Sequence, residues 1–191
     1  MKKHRQYISE ALASCNGAAR ILFGLLATER LRACCCVAEA DSYAWSCFAS
    51  ILDDAFAVIL DPQLSDSRLV DWIAQLEKNV PHGGEPLQVQ GQSAILCLIG
   101  SLRLFDSNDS EASESVINAI VDALDNYTFY IQRFVARDTS SPENYALLQR
   151  ELSRQLEDVN FVRTYNVLTL AKLIQRRMEN FQFAVPVAVG I

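Results

Sequence analysis

Apolar side chains recur every three or four positions along most of this chain of 191 residues, which is the spacing of one helix face. Convincing alternation with a period of two is absent, so the sequence predicts no strands. The stripes are formed, in chain order, by Tyr7, Ile8, Ala11, Leu12; Ile21, Leu22, Leu25, Leu26; Trp45, Phe48, Leu52, Ala55, Ile59; Leu69, Trp72, Ile73, Leu76; Ile117, Ile120, Leu124, Tyr127, Ile131, Phe134; and Tyr145, Leu148, Leu152, Leu156, Val159. We therefore predict an all-α, single-domain bundle of seven or eight helices spanning residues 1–191.

Capping residues place several of the expected helix ends. Asn16-Gly17 is a plausible stop for the first helix, and Asp41-Ser42 is a good N-cap pair for the third. Ser65 or Asp66 begins the fourth helix, and the run Thr139 to Pro142 combines a capping side chain with proline in the first turn. Residues 158–160 are a candidate break before a last helix over residues 165–178.

The stretch from Gly91 to Phe105 is apolar on nearly every side. Each position from Ala94 to Gly100 is apolar or glycine, and Arg103 is its only charged residue. A helix of this kind is normally surrounded by other helices. We therefore predict that residues 91–105 form a buried helix at the centre of the bundle.

Charge and hydropathy exclude two classes of partner. The net charge of −6 comes without a basic stripe, so nucleic acid is not an expected partner. The longest apolar runs fall well short of the roughly 20 residues that cross a bilayer. The N-terminal segment contains Gln6, Ser9 and Glu10 where a signal peptide would be apolar. We expect a cytoplasmic protein that does not enter a membrane.

The six cysteines do not follow the spacing of a disulfide framework. Cys34, Cys35 and Cys36 are consecutive, and neighbouring helical side chains point about 100° apart, so these thiols cannot converge on one metal ion. Packing as small apolar residues is the favoured interpretation. We expect no bound cofactor.

Glu29, Arg30 and Asp53 form the most suggestive polar cluster. Arg30 follows the apolar face of the second helix and could reach Asp53 on the third, where an ion pair would fix the helix register. Alternatively, paired acids on adjacent helices could bind a metal ion or activate water. Helical metal sites usually carry Glu-x-x-His motifs, and neither His4 nor His82 lies in one, so the structural role is favoured.

The chain ends in an apolar tail, residues 181–191, that contains Pro186. Such a segment either packs against its own chain or supports a dimer.

Several short motifs, in this order and spacing, resemble the YjaG-like family, which is domain of unknown function 416. They are Leu26–Leu31, Ile51-Leu52-Asp53, Asn79-Val80-Pro81, Ser93-Ala94-Ile95, Glu143-Asn144 and Gly190-Ile191. The resemblance implies an all-α bacterial protein of the cytoplasm, and it implies no particular activity.

The leading functional hypothesis is a non-enzymatic helical protein that binds a protein partner or self-associates as a scaffold, because no catalytic residues can be assigned. The first alternative is a ligand- or metal-binding protein, or an enzyme, with a site near Arg30 and Asp53. The second is an immunity-type partner of a toxin, whose acidic surface would mimic a substrate.

Overall fold

The computed structural model describes residues 2–38, 43–60, 66–80, 82, 86–105, 115–123 and 142–186. Within these ranges all regular structure is helical, which confirms the predicted all-α class. The elements are α1 (Lys2–Ala13), α2 (Gly17–Ala38), α3 (Tyr43–Val58), α4 (Asp66–Glu77), α5 (Pro86–Arg103), α6 (residues 115–123), α7 (Pro142–Val162), a 3₁₀ turn (Tyr165–Val167) and α8 (Leu170–Gln182).

Helices α2 and α5 form the centre of the bundle and pack together more extensively than any other described pair. Their backbones approach closely at Gly24, where a Cβ atom would lie only 2.7 Å from the Ser101 Cα. Thr28 stands 3.2 Å from the Ser101 hydroxyl, which donates to the Cys97 carbonyl at 2.6 Å. Glycine at position 24 is therefore what lets the two central helices meet.

Helix α2 is the most continuously buried element of the described chain. Every residue from Ala19 to Leu31 is buried, and α2 also contacts α3, α7 and α8. Two of the residues buried in this run, Glu29 and Arg30, carry a charge near its C-terminal end. Helix α2 thus places the cation of Arg30 in the interior of the bundle.

Helix α5 is largely buried, as expected, but its bounds and one face differ from the prediction. It begins at Pro86 rather than Gly91, because proline is well suited to the first turn of a helix. Leu96 is 41 % exposed, so the expectation of burial on every side is wrong at this position. Elsewhere α5 packs against α2, α3 and α4, and against α6 through Val116, which lies close to Gly100.

Most predicted stripes face the core. The buried positions among them include Ile8, Leu12, Ile21, Leu22, Leu25, Leu26, Phe48, Leu52, Ala55, Ile59, Leu69, Trp72, Leu76, Ile117 and Ile120. The predicted break at residues 158–160 is wrong, because α7 continues to Val162. The predicted caps at 41–42, 65 and 139, and the stripe positions from 124 to 134, lie outside the described residues.

The C-terminal tail packs against its own chain as far as Pro186. The Val185 amide donates to the Arg30 carbonyl at 2.8 Å, and Val185 is buried. The Gln90 side chain donates to the Pro186 carbonyl at 2.9 Å. The tail therefore ties α2 and α5 together.

No helix in the described ranges combines the length and the apolar character needed to cross a lipid bilayer.

Candidate functional site

Helix α7 buries a polar face. Its inward residues are Glu151, Arg154, Gln155, Asp158, Val159 and Val162. The apolar stripe predicted to face the core, with Leu148, Leu152 and Leu156, is partly exposed, and Leu156 is 36 % exposed. The helix is turned by about 90° from the predicted orientation, judged at about 100° per residue. The reason lies on α2, where a buried cation requires acidic partners.

Arg30 is fully buried, and three side chains from α7 and α8 surround its guanidinium. Glu151 accepts two hydrogen bonds, from Nε at 2.9 Å and Nη2 at 2.8 Å. Nη1 donates to Asp158 at 2.5 Å and also to Asn180. We call Arg30, Glu151, Asp158 and Asn180 the Arg30 cluster. Burial alone would lower the pKa of Arg30, but the charges and hydrogen bonds of both carboxylates raise it above its ordinary value.

Further hydrogen bonds complete this polar interior. Arg176 of α8 donates to Asp158 at 2.9 Å, and the Asn180 amide donates to the same carboxylate at 3.2 Å. Gln155 donates to Glu151 at 3.0 Å and is itself bonded to His4 of α1 at 2.8 Å. Buried polar groups that are all hydrogen-bonded specify one arrangement of their helices. The network therefore fixes α7 and α8 on α2.

Glu29 and Asp53 belong to a second cluster, nearer the surface. Asp53 accepts two hydrogen bonds from Arg32, at 2.8 and 2.9 Å, and another from Arg177 of α8. Glu29 accepts from Arg177 at 3.0 Å and from Arg32 at 3.4 Å. The hydrogen bonds from Arg32 and Arg177 lower the pKa of Asp53 to about 2, against the opposing effect of partial burial. We call Glu29, Arg32, Asp53 and Arg177 the surface cluster.

The structure separates the residues that the sequence grouped. It brings Glu29 and Asp53 together through two arginines, but the predicted Arg30–Asp53 ion pair is wrong. Arg30 and Arg32 are two positions apart on α2, so their side chains point to nearly opposite sides of the helix. Only Arg32 therefore reaches α3. The region around Arg30 is a closed contact rather than a solvent-filled pocket.

Glu151, Asp158 and Asn180 were not predicted from the sequence as members of a polar cluster. One signal could have found the two acids. An arginine within the buried run 19–31 needs acidic partners, and α7 carries acids at 151 and 158, seven positions apart on one helix face.

The chemistry available to these clusters is structural. Each of the four carboxylates named in the two clusters accepts hydrogen bonds from an arginine. Across the ranges that the structure describes, no three His, Cys, Asp or Glu side chains are grouped so as to hold a metal ion. Burial raises the pKa of the Cys34 thiol to about 12 and of Cys97 to about 11, so both stay protonated and unreactive at neutral pH.

Helix α8 presents a continuous apolar face to solvent. The side chains are Leu170 (60 % exposed), Ile174 (50 %), Met178 (61 %) and Phe181 (56 %). At about 100° per residue they fall within a sector of about 80°. The buried residues of this helix, Leu173 and Asn180, lie on another side. We call these four residues the α8 stripe. Its exposure was not predicted from the sequence, because an apolar stripe is normally assigned to the core.

A groove with a volume of about 410 Å³ lies over the C-terminal part of the stripe. Ile174, Met178 and Phe181 line its apolar part, and Glu29, Arg177 and Gln182 line its polar part. The surface cluster therefore borders the groove, whereas the Arg30 cluster lies beneath the surface.

These features define a class of protein: an all-α bundle whose C-terminal helices are fixed to a buried second helix by ion pairs. The fold is similar to that in the crystal structure of a DUF416 family protein from Shewanella baltica OS155. The TM-score is 0.66 at 12 % sequence identity, over 95 % of this chain and 98 % of that one. A scan against family models and a search of curated proteins found no match. At the level of fold, the likeness confirms the resemblance to domain of unknown function 416.

Proposed function

We propose that the protein acts by binding another protein through the α8 stripe, without carrying out a reaction of its own. The observation that carries this proposal is the exposure of four large apolar side chains on one helix face. Contiguous exposed apolar surface of this kind marks contact sites in soluble proteins. Anchors three and four positions apart are also the pattern by which amphipathic helices bind their partners.

The anchoring of α8 supports the same proposal. Arg176 and Arg177 each make ion pairs, to Asp158 and to Glu29 respectively, and Asn180 is buried in the Arg30 cluster. A helix held in this way presents its outer face without first having to become ordered, which lowers the entropic cost of binding. The stripe is thus a rigid surface.

The energy available is adequate for a specific contact. Full burial of a Leu, Ile, Met or Phe side chain is worth about 1.5–3 kcal/mol. The four residues of the stripe are half exposed or more, so covering them contributes several kcal/mol on the same scale.

Site-specific photocrosslinking tests the proposal. A photoreactive residue at Met178, in the cells that produce the chain, should form a covalent adduct with a protein upon irradiation. The same group at Lys172, an exposed residue on another face of α8, is the matched control and should form none. An Ile174→Glu substitution should abolish the adduct at position 178. Equal labelling at both positions, or none at either, would contradict the proposal.

The groove favours one second candidate, the binding of a small amphipathic molecule. Its volume of about 410 Å³ lies within the range of roughly 300–1,000 Å³ found for ligand sites. A panel of metabolites and divalent metals should then include a compound that raises the unfolding temperature of the native chain. The same compound should have no such effect on the Phe181→Ala variant. Unchanged unfolding temperatures throughout the panel would count against this candidate.

A further inference from the structure

We infer that the partner of the α8 stripe is a second copy of this chain, and that the two α8 helices pack antiparallel about a twofold axis. This inference rests on the proposed function, because it names the protein that the stripe binds.

The charge pattern around the stripe favours a second copy. Each chain carries a net charge of −6, so two copies repel unless they meet where little charge is exposed. One border of the stripe consists of Ala171, Gln175 and Gln182, which are uncharged. On the other border Arg177 is neutralised by Glu29 and Asp53. The stripe is therefore a face on which two acidic chains can approach without like charges meeting.

The position of the groove at the C-terminal part of the stripe selects the antiparallel arrangement. In a parallel twofold pair the two grooves would face each other, and Leu170 would fill neither of them. In an antiparallel pair centred between Ile174 and Met178, each border of the stripe meets the same border of the partner. The uncharged border therefore meets itself, and the border with Arg177, neutralised by Glu29 and Asp53, meets its counterpart. The same centre places Ile174 opposite the partner's Met178, and Leu170 opposite the partner's Phe181. Each apolar residue of the stripe then meets another one.

The groove fits this arrangement. Phe181, Met178 and Ile174 line it, and the partner's Leu170 arrives beside Phe181 in the antiparallel pair. Each copy therefore supplies one leucine and one groove, which is the reciprocal contact that twofold symmetry requires. Between Leu170 and Gln182 the helix is about 20 Å long at about 1.5 Å per residue. A contact of that length lies at the small end of specific interfaces, so the dimer should dissociate on dilution.

Sedimentation velocity and light scattering of the full chain test the association. The mass should rise with concentration from 21.3 kDa towards twice that value. Ile174→Glu and Met178→Lys should each weaken the dimer about 100-fold or more, because the substitution places a charge at its centre. Lys172→Glu changes the charge of the same helix away from the stripe, and it should leave the mass unchanged. Circular dichroism should show that all three variants remain folded, since the replaced side chains are exposed.

Mixing the variants tests the orientation. Ile174→Glu mixed with Met178→Lys should form a heterodimer, because the two charges face each other in the antiparallel pair. Ile174→Glu mixed with Ile174→Lys should not, and recovery in that mixture alone would establish a parallel pair and overturn the stated geometry.

Two further results overturn the self-pairing itself. One is a 21.3 kDa species at the highest soluble concentration, and the other is a dimer unaffected by Ile174→Glu. If a monomer still gives the Met178-specific adduct with a different protein, the stripe binds that protein and only the proposed function stands. A monomer without that adduct overturns both.

Discussion

Arg30 shows how a single residue determines the orientation of two helices. Its guanidinium has no exposed surface, and its charge is balanced by Glu151 and Asp158 from α7. A buried ion pair adds little to stability relative to an apolar replacement of the same shape, but removal of one partner leaves an uncompensated charge. Arg30 therefore acts mainly on the orientation of α7. Orientations in which α7 places no acidic residue next to the Arg30 guanidinium are strongly disfavoured.

Replacement of Arg30 by alanine should lower the free energy of unfolding by about 3–5 kcal/mol, because Glu151 then stays buried without its arginine and Asp158 keeps only Arg176 as a cationic partner. Arg32→Ala on the same helix is the matched control. It breaks a pair with Asp53, whose side chain is half exposed and keeps Arg177 as a partner, so its cost should be below about 1 kcal/mol. Urea denaturation of both variants measures the difference. Equal losses would show that burial does not set the strength of these pairs.

Asp53 should make the free energy of unfolding depend on pH in the acidic range. Its pKa is about 2 in the folded chain and 3.8 ordinarily, so the unfolded chain binds a proton more readily. The stabilisation from its charged form is present above about pH 4 and is lost as the pH falls towards about 2. The difference in unfolding free energy between the native chain and Asp53→Asn should shrink over that interval. Thermal unfolding at a series of pH values checks this.

The partial exposure of Asp53 gives this measurement a second control. Salt screens exposed ion pairs, so the difference above about pH 4 should become smaller at high ionic strength. A difference that grows as the pH falls would contradict the assignment of the low pKa to the pairing of Asp53 with Arg32 and Arg177.

At the scale of elements, α7 explains which parts of the prediction succeeded. Where only one face of a helix is apolar, as in α4 with Leu69, Trp72 and Leu76, the pattern identifies the buried face. Helix α7 has apolar and polar residues at the same helical spacing, so periodicity alone does not distinguish its two faces. The choice depends on Arg30, more than 110 residues earlier in the sequence. That dependence is a tertiary one, which local patterns do not contain.

The α8 stripe was missed for a related reason. Its spacing equals that of a core stripe, and the ion pairs that hold the other side of α8 involve Glu29 and Asp158, which lie on other helices. The Arg30–Asp53 prediction had the right residue types and adjacent helices, but Arg32 is the residue that reaches Asp53.

The contact between α2 and α5 depends on Gly24. Gly24→Ala should cost at least about 1–3 kcal/mol of stability, the usual range for overpacking, because the new methyl group would overlap the Ser101 backbone. Gly100→Ala is the matched control, since the nearest atoms to a Cβ there belong to the side chains of Val116 and Ser115, at 3.2 Å or more. The midpoint of urea unfolding compares the two. A smaller loss for Gly24→Ala than for Gly100→Ala would refute the close approach.

At the scale of the whole molecule, we expect the tail to stabilise the fold and the α8 stripe to mediate association. Removal of residues 183–191 deletes the bonds of Val185 and Pro186 to α2 and α5, together with the Phe183 ring that lies 4.7 Å from the Arg154 guanidinium. The truncated chain should unfold at a lower temperature but associate as the full chain does. Calorimetry and light scattering measure the two effects. Loss of association in a still-folded truncated chain would place the contact surface on the tail instead.

The partners of Arg30 also set the order in which the protein can mature during translation. They lie 121, 128 and 150 residues further along the chain. Since a polypeptide emerges from the ribosome with its N-terminus first, α1 to α5 are synthesised before any acid that neutralises Arg30 exists. A nascent chain arrested before α7 therefore leaves Arg30 either unpaired or exposed, and we expect such a chain to bind chaperones or to be degraded more readily than the complete one.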